Sequence, residues 1–152
     1  MIMKTRNGYE FEIDECDYDL VSMYSWRLEA SSTLYSTILG KNVILSRLLM
    51  GFPIGFDVDH IDRNRLNNKR SNLRVCTRQQ NSWNKGKKVS KQTSSKYIGV
   101  CRHQKIYWQS YIKIDGKVVG LGYFKDEKDA ARAYNEACVK ERGKWAVLND
   151  IE

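Results

Sequence analysis

The sequence predicts an α+β chain built of two modules, and three observations carry that prediction. Residues 58–83 place two short apolar segments on either side of a polar loop and follow them with a helix-start signal. Residues 97–142 alternate apolar and polar side chains through three segments and then change to a helical stripe. Between the two, residues 84–96 (NKGKKVSKQTSSK) hold five Lys among Gly, Ser and Thr with almost nothing apolar to bury, which is the composition of a linker. The expected units are residues 1–86, a basic linker at 87–96, and residues 97–152.

Ahead of the first hairpin, residues 1–44 read as short strands and turns. Residues 9–13 alternate, 14–19 form an acidic turn, and 20–26 suit a short helix. Residues 33–39 and 42–45 suit a hairpin about Gly40 and Lys41, and 47–50 suit a short apolar helix ended by Gly51 and Pro53. Trp26, Leu45, Leu48 and Leu49 are the expected core of this section. The next hairpin takes 58–61 and 73–76 as strands. Thr77 and Gln80 then match a capping box that opens a helix at Arg78, with Asn81 and Asn84 on one face and Gly86 as a stop. In the second module the strands are 97–103, 107–114 and 117–124, the last two joined by the two-residue turn Asp115-Gly116. Residues 126–142 carry apolar side chains at 130, 133, 134, 137 and 138, one helical stripe closed by Gly143.

The net charge of +8 is unevenly spread. Residues 1–57 hold five Lys and Arg against eight Asp and Glu, net −3; residues 58–96 hold eleven against two, net +9; residues 97–152 hold ten against eight, net +2. A basic stretch of this kind is either a solvated linker or a surface that displaces counterions from a phosphate backbone. The four cysteines, at 16, 76, 101 and 138, form no C-x-x-C pair, so free thiols and no structural zinc are expected. No apolar run approaches the ~18 residues that span a bilayer. Met1 to Lys4 does not begin a signal peptide, and a soluble, cytoplasmic protein is expected.

Asp59, His60, Asn72 and Asn81 stand at intervals of one, twelve and nine residues. Hydrolysis of a phosphodiester at neutral pH needs a base for the attacking water and a cation for the charge that builds on phosphate and leaving oxygen. His60 suits the base, since imidazole titrates nearest that pH. Asp59 and Asn81 offer hard oxygen ligands, which favour one Mg2+ or Mn2+ over zinc. The Asn72 amide donates and accepts at once, so it can tie the arms of the hairpin and fix the His60 ring. Adjacent strand residues face opposite ways, so Asp59 and His60 can share a site only at a strand end or a bulge. The bland alternative is turn chemistry alone, with the amides capping backbone groups.

The residues DHID at 59–62, Asn67-Asn68, SNLR at 71–74 and Asn81 at the last motif position, where a histidine is usual, resemble the HNH endonuclease family. The likeness is to its phage- and intron-encoded homing subgroup, and it implies a ββα-metal arrangement working in a phage-infected bacterial host. Carried over by position, it implies Asp59 and Asn81 as metal ligands, His60 as general base and Asn72 as structural asparagine. The family usually has glycine where this chain has Arg63.

YIGV at 97–100, GLGYF at 120–124, and AARAYNEA with RGKWAVLND across 130–150 resemble the AP2 DNA-binding domain, whose three-stranded sheet lies in the major groove. Parity agrees: Trp108, Ile112 and Ile114 fall on one face of the middle strand, Tyr107, Gln109, Tyr111 and Lys113 on the other. Gly120 and Gly122, read as sharing that second face, would let the backbone come close. Plant AP2 domains place base-reading arginine or tryptophan where this chain has Ile98, Cys101, Lys105, Val118 and Gly120, so its sequence preference is expected to differ.

Together these readings point to a site-specific endonuclease of double-stranded DNA, acting as a monomer. The expected DNA contacts are Arg63, Arg65, Lys69, Arg70, Arg74, Lys85, Lys87 and Lys88 near the site, and Arg102, His103, Lys105, Gln109, Tyr111 and Lys113 on the second module. Two alternatives stand beside it: a regulator that binds DNA without cutting, and a protein that binds or cuts RNA.

Overall fold

The computed structural model describes residues 1–30, 32–86 and 94–152, in two units, Met1–Ser82 and Trp83–Glu152. Lys87, Lys88 and most of the expected linker lie outside the described residues.

The first unit opens with an antiparallel pair, β1 (Ile2–Lys4) and β2 (Glu10–Glu12), followed by a 3-10 turn at Glu15–Asp17 and α1 (Tyr18–Ser22). This helix starts before residue 20 and stops at 22. Trp26 donates its indole N–H to the Val21 carbonyl at 2.9 Å, a second donor to an oxygen at the helix end that also accepts from the Tyr24 N–H. Next come β3 (Arg27–Leu28), β4 (Leu34–Ile38) and β5 (Lys41–Ile44), a sheet with β4 in the middle. The β4–β5 turn is Leu39-Gly40, one residue earlier than expected, with φ of 49° and 75° as a two-residue hairpin turn requires. After α2 (Leu45–Leu49), β6 (Asp57–His60) pairs antiparallel with β7 (Leu73–Cys76), and α3 (Arg78–Trp83) follows at once.

The core of this unit is Phe11, Ile13, Val21, Trp26, Leu34, Leu45, Leu49 and Leu73, with Leu48 and Val58 packed against it. Leader and hairpin therefore share one core. Since Val58 and Leu73 turn towards it, strand parity sends Asp57, Asp59, Arg74 and Cys76 to the opposite face of the hairpin.

In the second unit, β8 (Val100–His103), β9 (Tyr107–Ile114) and β10 (Lys117–Phe124) form an antiparallel sheet with β9 central, and α4 (Glu127–Arg142) packs on it. Asp115 and Gly116 turn between β9 and β10 with φ of 46° and 80°. Asp126 caps α4, accepting from the Lys128 and Asp129 N–H groups, and Gly143 ends it. Tyr97, Val100, Ile112, Ala130, Ala131, Tyr134 and Cys138 make up the core between sheet and helix. Ser94 and Ser95, expected as linker, accept hydrogen bonds from the Arg102 and Tyr97 N–H groups and so belong to this unit. The tail returns through Asn149, whose amide pairs with both backbone groups of Ile98 and whose own backbone pairs with the Asn135 amide.

The result is a mixed α/β chain of small sheets. Among the described residues no helix is long and apolar enough to cross a membrane.

Candidate active site

The β6–β7 hairpin places its polar side chains by register. Asp59 lies opposite Arg74, Asp57 opposite Cys76 and His60 opposite Leu73, without a bulge. His60 is the last residue of β6, but its register partner Leu73 puts it on the face opposite Asp59; what links the two is the Asp59 charge, which reaches the ring. Cys76 hands the chain to Thr77, where the reciprocal capping box forms: the Thr77 N–H donates to Gln80 Oε1 at 2.9 Å and the Gln80 N–H to Thr77 Oγ1 at 3.1 Å. This fixes the first turn of α3. Asn81, in that turn, donates Nδ2 to Asp57 Oδ2 at 2.9 Å. Burial, with the charges of Asp59 and Asp57, pushes the Cys76 thiol up to about 11, so both carboxylates act on the same spot.

His60 is held by Asn68 rather than by Asn72. Its Nε2 lies 3.1 Å from Asn68 Oδ1, and Asn68, only 1% exposed, donates its Nδ2 to the Arg65 carbonyl at 3.0 Å. That second bond turns the amide oxygen to the ring, so the Nε2 that faces it carries the proton. Burial lowers the His60 pKa below 6.5, outweighing the Asn68 bond and the Asp59 and Asp62 charges that raise it. Burial therefore favours the neutral imidazole.

Asn72 ties the hairpin loop together, as its amide chemistry predicts, but its partners are Asp62 and Asn67. It donates to Asp62 Oδ1 at 2.9 Å and to the Asn67 carbonyl at 2.7 Å, and accepts from the Asp62 N–H at 3.0 Å. Asp62 is the hub of this loop, also accepting from the Asn64 N–H and from Asn67 Nδ2. Sequence reasoning missed Asn68, Asp62 and Asp57. Asn67-Asn68 was visible as a pair, but only the fold shows which amide faces the ring.

The donors present fit a hard divalent cation. Asp59 supplies a carboxylate, and Asn81 an amide oxygen that accepts no hydrogen bond from a described residue. No cluster of three or more His, Cys, Asp or Glu side chains suited to a metal occurs among the described residues. One contact opposes a cation: Arg74 donates Nη2 and Nε to Asp59 Oδ2 at 2.8 and 3.0 Å.

The basic side chains divide by what they touch. Lys69 pairs with Glu12 at 2.7 Å, and Arg70 grips buried Asp17 with Nε and Nη2 while its N–H bonds Asp14. Both thus latch the loop to the leader, because acidic residues more than 50 positions earlier fold beneath the loop. Arg74 is taken up by Asp59. Arg65 bonds Thr33 Oγ1 and its charge reaches His60. Arg63 and Lys85 are exposed. Arg63 has φ +66°, so it occupies the left-handed turn position that glycine fills without strain.

On the second unit, pairing puts Cys101, His103, Tyr107, Gln109, Tyr111, Lys113, Val118 and Gly120 on the sheet face away from α4. Two expectations change. Arg102 stacks over Trp108 at 4.7 Å, on the helix-side face, and donates to the Lys105 carbonyl. Gly120 and Gly122 do not share a face: a bulge at Leu121 pairs Gly120 with Tyr111 but Gly122, φ +127°, with Ser110. The same bulge swings Tyr123 onto the open face, where its ring lies 4.5 Å from that of His103. Lys105 sits exposed in the β8–β9 turn.

The comparisons with known proteins agree with the hairpin–helix geometry. The family model "HNH endonuclease" matches residues 49–83, the segment holding β6, β7 and α3. An uncharacterized HNH endonuclease of Acanthamoeba polyphaga mimivirus is 34% identical over 140 residues, covering 89% of this chain and 72% of the viral one. That likeness runs through both units, and the chain belongs to the HNH endonuclease family.

Proposed function

We propose that the chain is a homing-type, site-specific endonuclease of double-stranded DNA. Residues 1–86 form its cutting domain, and residues 97–152 an AP2-like domain that seats it on the target. The observation that carries the cutting half is the His60–Asn68 pair, a neutral imidazole whose tautomer is set by a buried amide. His60 accepts the proton of the attacking water. Asp59 and Asn81 would hold one Mg2+ or Mn2+. A divalent ion there supplies positive charge to the phosphate oxygens and the leaving group. Arg63, Arg65 and Lys85 hold the backbone over the site by phosphate contacts. Asn72 and Asp62 keep the loop between the strands in one shape, so that these groups converge.

For targeting, the open sheet face offers His103, Gln109, Tyr111, Lys113 and Tyr123 to base edges and phosphates. Nothing lies within 4 Å of where a Cβ on Gly120 would be, so a groove edge can approach the backbone there. One site per chain makes nicking by a monomer the natural product.

The Asp59–Arg74 pair favours a second reading, a regulator that binds DNA without cutting, because a guanidinium on that carboxylate competes with a cation. Binding and cutting of a duplex selected from random sequence separate the two. Wild type and His60→Ala are expected to bind alike in EDTA, and with Mg2+ the variant should cut slower by ~10²-fold or more. A wild type that binds tightly and never cuts would support the regulator; RNA outcompeting the duplex would sink the DNA reading.

A further inference from the structure

We infer that Asp57 is a positioning residue for the cation site: it selects the orientation of the Asn81 amide that presents oxygen, and leaves the site with net negative charge. This rests on the nuclease reading above. Asp57 opens β6, two residues before Asp59 and on the same face, so the two Cα atoms lie roughly 6–7 Å apart. Its backbone pairs with Cys76, the residue before the capping box, and the Asn81 N–H bonds the Thr77 carbonyl at 2.9 Å. The backbone of Asn81 is therefore set by the cap, while rotation of the terminal amide is not, since that torsion has two broad wells half a turn apart. One well turns oxygen towards a cation and the other turns the NH2.

A carboxylate only accepts, so it admits one of these orientations. With Nδ2 bonded to Asp57 Oδ2 at 2.9 Å, Oδ1 points the other way and accepts no hydrogen bond from a described residue. Charge gives the second reason. Asp59 and Arg74 form an ion pair and cancel; with Asp57 the three side chains sum to −1. Without Asp57 a divalent ion would meet a neutral pair and an amide free to show its NH2.

The test measures Mn2+ binding to the full chain without DNA, by loss of the free-ion electron paramagnetic resonance signal, with DNA binding in EDTA and thermal melting recorded beside it. Asp57→Ala is expected to weaken Mn2+ binding by roughly 10- to 100-fold, while DNA binding in EDTA stays unchanged. Asp57→Asn removes the charge but keeps an amide oxygen that can accept from Asn81 Nδ2, so it should retain part of the Mn2+ binding that Asp57→Ala loses. That partial retention, with DNA binding and melting unchanged, distinguishes positioning from general support of the fold. Asp57→Ala binding Mn2+ like wild type would overturn the inference and leave the nuclease reading intact. If Asp57→Ala does not fold, Asp57→Asn decides: Mn2+ binding as tight as wild type overturns the inference. A wild type that binds no Mn2+ would remove the nuclease reading and this inference together.

Discussion

Asn68 carries more of the chemistry than its place in a run of loop residues suggests. It is buried to 1% exposure between the His60 ring and the Arg65 carbonyl, so its amide has one orientation and the ring one tautomer. Asn68→Ala should slow nicking by about tenfold or more through loss of that tautomer, and should destabilise the chain by about 1–3 kcal/mol because the Arg65 carbonyl loses its donor. Single-turnover cleavage and urea unfolding measure the two effects separately. Asn68 also shows where reading the sequence stops. Asp59, His60, Asn72 and Asn81 stand out as candidates by residue type and interval. Which of two amides would meet the ring was not legible, because Asn68 and Asn72 have the same chemistry and only the loop's path sets their partners. At Arg63 the usual glycine of the family already pointed to a special turn, and the backbone there is left-handed, φ +66°.

At the scale of elements, local signals carried over well and long-range ones did not. The Thr77–Gln80 box and the Asp115-Gly116 turn rest on neighbouring residues, and both form where expected. The β10 bulge breaks the period of two on which face assignment depends, so Gly122 and Tyr123 exchange sides. Lys69 and Arg70 were legible as charge, but their partners Glu12 and Asp17 lie in the leader. Two predictions belong here. Gly99 has φ +69°, and a Cβ there would overlap the Tyr134 ring and the Tyr111 carbonyl oxygen. Gly99→Ala should cost about 2–4 kcal/mol and unfold the second unit first, as hydrogen exchange of β9 and α4 amides would report.

The second concerns the hairpin loop. Burial pushes the Asp62 carboxyl up, but bonds from Asn67, the Asn64 N–H and Asn72, with the charge of His60, hold it below 3.8. A group whose folded pKa is depressed stabilises fully above its unfolded pKa and loses that contribution as pH falls through the folded value. The stability difference between wild type and Asp62→Ala should therefore be constant near neutral pH and shrink only below about 3.8. A difference that fades between pH 7 and 5 would assign the effect to another group.

Over the whole molecule, each unit encloses its own core, and each turns one polar face outwards from it: the hairpin face with Asp57, Asp59 and Asn81, and the open sheet face with His103, Tyr111 and Tyr123. The basic excess sits on and just after the hairpin, which suits a cutting module that holds phosphates and a second module that supplies position. The central claim is that His60 is the base of a cation-assisted cut in DNA. The most direct measurement is conversion of a supercoiled plasmid carrying a binding-selected site, in Mg2+, Mn2+ or EDTA, by wild type and His60→Ala. The account predicts open circles from wild type in either cation, none in EDTA, and none from the variant over the same time. Equal conversion by His60→Ala, or conversion undiminished in EDTA, would contradict it.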